Sequence, residues 1–295
     1  MTTFVFMYKL SFFSALLGSI MFLSSCEDET APAVAYLEVT ELLVAAKSNE
    51  GTSSAKLNTI WVEQNGQQIG AFSPPCRIPV YAGENQSLRF IPGIALNGVY
   101  SQRNQYEMLA PIEKNWTLNE GSTRVLSPEV LTFEYNPTYT VMVIEDFDGI
   151  GLNYNKTVQS DTNLLITSDT SEVFYHPGEM PNKSGKFVLP PETLGEFKTL
   201  QAFELPKYGA NVWLEVNYKT DVALTFGITA NEVLQSAKTP VVTLFPNDQW
   251  NKVYINLVTE VSGYPNAIDY NLFFGSINTT DDTATVLIDN IKLLY

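Results

Sequence analysis

Period-two alternation, cut every few residues by Gly, Pro, Asn or Asp, governs this chain from residue 35 to its end. Segments such as Val212-Trp213-Leu214-Glu215-Val216-Asn217 and Lys252-Val253-Tyr254-Ile255-Asn256-Leu257 put alternate side chains on opposite faces of an extended backbone. β-Branched and aromatic residues fill these runs and suit a pleated, half-buried surface. Helical periodicity is confined to one short stretch, 230–238. Many short strands with turn signals between them specify an all-β fold of sandwich type. The first strand is expected at 35–45, later ones at 250–258 and 270–278, and the last at 284–294.

The strand pattern breaks near Asn136-Pro137 and restarts with Thr140-Val141-Met142-Val143-Ile144. Two β-sandwich domains are therefore expected, 35–136 and 137–295, each of ordinary domain size. A chain that is 45% hydrophobic can fill two such cores. A formal net charge of -15 excludes nucleic acid as a partner, because phosphate recognition demands a basic face. One His and two Cys leave too few ligands for a His/Cys zinc site.

Ahead of the strands, Lys9 precedes an apolar run over 10–23 that is too short to span a bilayer. The run ends Leu23-Ser24-Ser25-Cys26, which resembles a bacterial lipoprotein signal. The resemblance implies that residues 1–25 are removed, that Cys26 carries lipid, and that 26–34 form the tether to the membrane. Glu27-Asp28-Glu29 resembles the surface-export tag of Bacteroidetes lipoproteins and implies an outer-membrane protein facing the cell exterior. With Cys26 acylated, Cys76 is left without an intramolecular disulfide partner. No His or second Cys lies near Cys76 in sequence, so a structural role is expected for it.

In the first domain, Ile60-Trp61-Val62-Glu63-Gln64-Asn65-Gly66-Gln67-Gln68-Ile69-Gly70 reads as strand, Asn-Gly turn, strand. With Ile78-Pro79-Val80 and Ser87-Leu88-Arg89-Phe90-Ile91 it resembles the small envelope sandwiches called PEGA domains. An added Asn97-Gly98 turn departs from that pattern. The resemblance implies a spacer or interaction module.

The second domain opens Val143-Ile144-Glu145-Asp146-Phe147-Asp148-Gly149, carries Ser184-Gly185-Lys186, and closes Ile288-Asp289-Asn290-Ile291-Lys292-Leu293. This order resembles jelly-roll carbohydrate-binding modules of the galactose-binding-domain-like type. It implies a jelly roll that binds glycan without catalysis. Strict alternation puts Asp289 on one face with Leu287, Ile291 and Leu293, so its carboxylate needs a donor or a cation. In the resembling modules that Asp helps to hold a structural calcium beside acidic groups of the opening strand, which here implies Asp289 with Glu145, Asp148 or Asp146 as ligands. Otherwise Asp289 caps an exposed strand end.

Sugar recognition needs an aromatic face beside amides and carboxylates. Tyr154, Tyr175, Tyr208 and Tyr264 lie in loop-like stretches and are the candidates. Trp61, Trp213 and Trp250 sit inside strand patterns and read as core. No Gly-x-Ser-x-Gly elbow, His-Glu-x-x-His helix or P-loop is present. A carboxylate-pair hydrolase would need two acids in one cleft with a raised pKa on one of them. His176, before Pro177, reads as a surface turn residue. The glycan reading competes with an adhesin or assembly component that binds protein.

Overall fold

The computed structural model describes residues 32–179 and 183–295. The signal-like segment, Cys26 and the acidic cluster after it lie outside the described residues.

The N-terminal half is a two-layer β unit. One layer is three-stranded, with β1 (Val34–Val39) central; the order puts it between β5 (Cys76–Tyr81) and β9 (Thr123–Leu126). The facing layer orders β4 (Gln67–Phe72), β3 (Thr59–Gln64), β6 (Gly83–Ala95) and β7 (Arg103–Gln105), with β8 (Ile112–Leu118) also on β6. A small pair joins β2 (Leu43–Ala45) to β10 (Thr132–Glu134). The run 35–45 is thus two strands, because the chain leaves β1's sheet to pair with β10. Leu37, Ile78 and Val80 from one layer meet Ile60, Val62 and Phe90 from the other in a single core. The β3–β4 hairpin turns at Asn65 (φ 52°) and Gly66 (φ 77°), both positive as a type I′ turn requires.

The C-terminal half is a jelly roll of two facing sheets. The first orders β13 (Leu165–Thr167), β14 (Ser184–Leu189), β21 (Ala284–Leu294), β16 (Trp213–Thr220) and β19 (Asn247–Asn256), with β11 (Val141–Glu145) on the end of β21. The second orders β12 (Tyr154–Lys156), β15 (Leu194–Thr199), β20 (Asp269–Ile277), β17 (Leu224–Asn231) and β18 (Ser236–Leu244). Phe187 from the first sheet packs on Phe197 and Phe274 from the second, with ring centroids 4.9 and 6.1 Å away. The stretch 230–238 is not helical. It is the β17–β18 hairpin, with Val233 and Leu234 exposed at its tip. The α-helix among the described residues is α1 (Val258–Gly263), one turn after β19, at the end of the run expected to be strand.

Strict alternation fails in β21. Asn290 has φ 51°, and the pairing with β16 shifts between Glu215↔Lys292 and Asn217↔Asp289. This bulge inserts one residue and re-aims the chain. Ile288, Ile291 and Leu293 face the jelly-roll core. Asp289 therefore shares its face with Leu287 rather than with Ile291 and Leu293. It lies on the outer side of the sheet, together with Lys292.

That outer side is not open to water, because the N-terminal unit packs on it. Trp213, Tyr254 and Leu294 belong to the N-terminal core rather than to the jelly-roll core. Tyr106 meets Trp213 edge-on at 5.3 Å and Tyr254 at 4.8 Å. The added Asn97-Gly98 turn docks here: the Asn97 amide N–H donates to the Tyr254 carbonyl, and the Asn256 amide donates to Asn97 Oδ1. Glu215 and Asn217 of β16, Lys252 of β19 and Lys292 of β21 are buried beneath this interface. Tyr106 and Tyr135 hydroxyls donate to the Glu215 carboxylate at 2.7 and 3.0 Å. Lys252 Nζ lies 2.7 Å from the same carboxylate, a charge contact rather than an aligned hydrogen bond. Burial alone would raise the Glu215 carboxyl, but the Lys252 and Lys292 ammonium groups outweigh it and hold it below the usual range.

Candidate functional site at the domain junction

Three loops meet beside the β21 bulge and with it line a cavity of ≈ 330 Å³. This lies within the about 300–1,000 Å³ usual for small-molecule sites. The bulge itself supplies Asp289 and Asn290. The loop after β11 supplies Asp146 and Asp148, and the loop before β14 supplies Phe174, His176, Glu179 and Lys183. The N-terminal unit closes the fourth side with Ser48, Gly51 and Thr52.

Each wall is fixed by local bonding. Glu145 Oε1 accepts from the Phe147 amide at 2.9 Å and Oε2 from the Asn153 amide at 2.6 Å, which folds the 146–153 loop back on β11. Phe147, at φ 59°, drops its ring into the core against Gly185. A Cβ on Gly185 would lie 2.4 Å from that ring, so the Ser-Gly-Lys turn has glycine for a packing reason. The Lys183 amide donates to Asp148 Oδ1 at 3.1 Å. Glu179 accepts from the Thr52 hydroxyl at 2.6 Å and the Ser53 amide at 2.7 Å, clamping the two units together across the cavity mouth. Phe174 stands edge-on to Trp250 at 5.4 Å, and the Trp250 indole donates to the Glu172 carbonyl.

Asp289 forms the floor and is only 4% exposed. Its Oδ2 accepts from the Ser184 hydroxyl at 2.5 Å and its Oδ1 from the Asn290 amide at 2.7 Å. Burial pushes its carboxyl up to about 8, the two hydrogen bonds oppose this, and the Asp148 and Asp146 charges add to the rise.

The expected site residues are only partly brought together. Asp148 and Asp289 share the cavity, whereas Glu145 spends both carboxylate oxygens on backbone amides. Among the described residues no three His, Cys, Asp or Glu side chains converge so as to hold a metal ion. Tyr175, 59% exposed, lies between the cavity residues Phe174 and His176. Tyr154 is buried in the jelly-roll core beside Phe274 and offers no face to a ligand. Tyr264 is half-buried, with its hydroxyl bonded to Thr239 at 2.7 Å. Tyr208 is 85% exposed at a tight turn and does not line the cavity. Trp213 is core, as expected, but in the core of the N-terminal unit across the interface. Cys76 is half-buried, and burial pushes its thiol up, away from a nucleophile's range.

Sequence reasoning missed Phe174, Lys183, Asn290 and the Gly51–Thr52 wall, and set His176 aside. The Asp289-Asn290 pair, two polar residues in succession inside an apolar strand, is the signal that marks the bulge. Nothing local marks Gly51 and Thr52, which reach the site only through the docking of the two units.

No family model and no curated protein matches the chain. Solved structures do. A family 11 carbohydrate-binding module from Clostridium thermocellum, in complex with a mixed-linked tetrasaccharide, is similar over 52% of this chain and 94% of its own, at 11% identity and a TM-score of 0.36. A family 29 carbohydrate-binding module variant is similar over 52% of this chain and 84% of its own, at 13% identity and a TM-score of 0.32. The enzymatically active domain of tailspike protein 4 from bacteriophage CBA120 is similar over 58% of this chain and 25% of its own, at 14% identity and a TM-score of 0.38. Likeness of this degree concerns the fold alone.

Proposed function

We propose that the chain is an outer-membrane lipoprotein, held by lipid on Cys26 and facing the cell exterior, that binds glycan without catalysis in the junction cavity. One observation carries the ligand reading. A concave site of small-molecule size combines carboxylates, the Asn290 amide and the Thr52 hydroxyl with the Phe174 ring, and the next residue in sequence, Tyr175, is exposed. Sugars present apolar C–H faces to aromatic rings and hydroxyl rims to such polar groups. The lipid anchor rests on the Leu23-Ser24-Ser25-Cys26 signal and the acidic tether.

A second reading, glycoside hydrolysis by paired carboxylates, has one observation in its favour: Asp289, raised to about 8, shares the cavity with Asp146 and Asp148. Against it, the Asp289 carboxyl is 4% exposed and fixed by the Ser184 hydroxyl and the Asn290 amide, which leaves little of it open to a leaving group.

The test is a glycan array with the chain from residue 33 onward, run with calcium and with chelator, followed by assay of any captured glycan for released reducing ends. Saturable binding without cleavage supports the proposal. Cleavage moves the reading to a hydrolase. Absence of binding in folded protein moves it to adhesion to a protein partner.

A further inference from the structure

Lys292 lies on the outer face of β21, in register with Glu215 of β16 and Val143 of β11. It is fully buried. Its Nζ donates to the Thr52 carbonyl at 2.6 Å and to the Tyr135 hydroxyl at 3.0 Å. Gly51, at φ +72°, rides directly on this side chain: a Cβ there would lie 3.2 Å from Lys292 Cε. The backbone that lines the cavity on its N-terminal side therefore rests on Lys292 together with Val143, whose Cγ2 would lie 3.0 Å from the same Cβ. Above it, Glu179 holds the Thr52 hydroxyl and the Ser53 amide, and the Ser54 amide donates to Thr52 Oγ1 at 3.0 Å.

We infer that Lys292 is the positioning residue of the junction cavity: with its proton it grips the Thr52 carbonyl and sets the Gly51–Thr52 wall, and without it that wall slackens. The inference rests on the cavity being the ligand site proposed above. An ammonium donor holds a carbonyl more strongly than a neutral amine does. The charged groups facing Lys292 come from every element around it. Burial and the Lys252 charge disfavour its ammonium, whereas Glu215, Glu179 and Glu50 favour it. Tyr135 contacts it, and Tyr106 completes the Glu215 shell. The balance brings Lys292 down to about 7, so its proton is exchanged close to neutral pH.

Amide hydrogen exchange of the full chain in detergent, from pH 5.5 to 8.5 and corrected for intrinsic rates, tests this at Ser53 and Ser54. The wild-type protein is expected to lose about tenfold in protection across this range, the difference between a charged and a neutral donor. Lys292→Met should be flat and as weakly protected as the wild type at high pH. Lys292→Arg keeps its charge throughout, so it should be flat and protected; it also decides the matter if the Met variant does not fold. Asp289→Asn removes another cavity group whose pKa lies in this range, and the wild-type dependence should survive in it. A flat wild-type profile, a pH dependence that persists in Lys292→Arg, or its disappearance in Asp289→Asn would each overturn the inference. No sugar enters the experiment, so its failure and failure of the glycan reading are separate results.

Discussion

The Lys252 ammonium lies 2.7 Å from the Glu215 carboxylate, and each side chain is 2% exposed. Both belong to the jelly roll, yet the groups that complete their surroundings, the Tyr106 and Tyr135 hydroxyls, come from the N-terminal unit. Two β units joined in this way share one desolvated charge network. Its integrity depends on both being folded and docked.

Replacement of Glu215 by Gln should therefore be costly. It preserves shape but leaves Lys252 and Lys292 without their shared counter-charge, and breaking a buried pair from one side costs about 3–5 kcal/mol. Urea unfolding should show that loss. Lys252→Met placed on top of Glu215→Gln should recover part of it, because one orphaned ammonium is then gone. A Glu215→Gln variant as stable as the wild type would show that water reaches this interface.

Gly185→Ala should destabilise the jelly roll by about 1–3 kcal/mol, the usual cost of overpacking. The new methyl would sit 2.4 Å from the Phe147 ring, which is held at a positive φ and buried on all sides. Thermal melts of Gly185→Ala, alone and with Phe147→Leu, check the cause: the smaller side chain should return part of the lost Tm.

The all-β architecture was legible because alternation and turn chemistry are local. The Asn65-Gly66 hairpin and the closing strand of the jelly roll could be placed from residue types alone. The errors have physical causes. In 230–238, helix-like apolar spacing came from Ala230, which faces the core, and from Val233 and Leu234, which sit on a hairpin tip. In β21 the bulge at Asn290 moved Asp289 to the opposite face, and no alternation rule carries that information. β8 escaped notice because Glu113, Lys114 and Asn115 dilute a strand of which only one face packs. For the site, Asp289 stood out as a charge inside an apolar strand, and Asp148 entered through the resemblance to carbohydrate-binding modules. Tyr154 was misread because Asn153 and Asn155 flank it like a loop, while the ring turns inward. The N-terminal wall was out of reach, since it depends on how two units dock.

The pH dependence of stability should carry the signature of Asp289. Its pKa is raised from 3.8 to about 8 in the folded protein. Between those values the native state binds more protons than the unfolded state, so stability is fully present at low pH and falls as pH rises through the window. The slope is at most about 1.4 kcal/mol per pH unit. Lys292 acts with the opposite sign and higher up: its pKa is lowered from 10.5 to about 7, so its contribution rises with pH only above neutrality. Urea unfolding at pH 5 and pH 7 isolates the carboxyl. Wild-type protein should be less stable at pH 7 than Asp289→Asn is, relative to each one's value at pH 5. Parallel profiles for the two would mean that Asp289 is solvated like an ordinary surface carboxylate.

Ligand binding should separate two exposed tyrosines that look alike in sequence. Tyr175 lies in sequence between Phe174 and His176, which line the cavity, whereas neither Tyr208 nor its sequence neighbours line it. Stacking of a sugar face on Tyr175 contributes about 1 kcal/mol or more, so Tyr175→Ala should weaken the affinity for any captured glycan roughly five- to tenfold. Asp148→Asn should weaken it as well, by removing a charged acceptor for sugar hydroxyls from the cavity wall. Tyr208→Ala should change nothing. Titration calorimetry of the three variants against the glycan with the strongest array signal provides the comparison. Equal losses at Tyr175 and Tyr208 would place the binding surface outside the junction cavity, and a loss at Tyr208 alone would move it to the loops around α1.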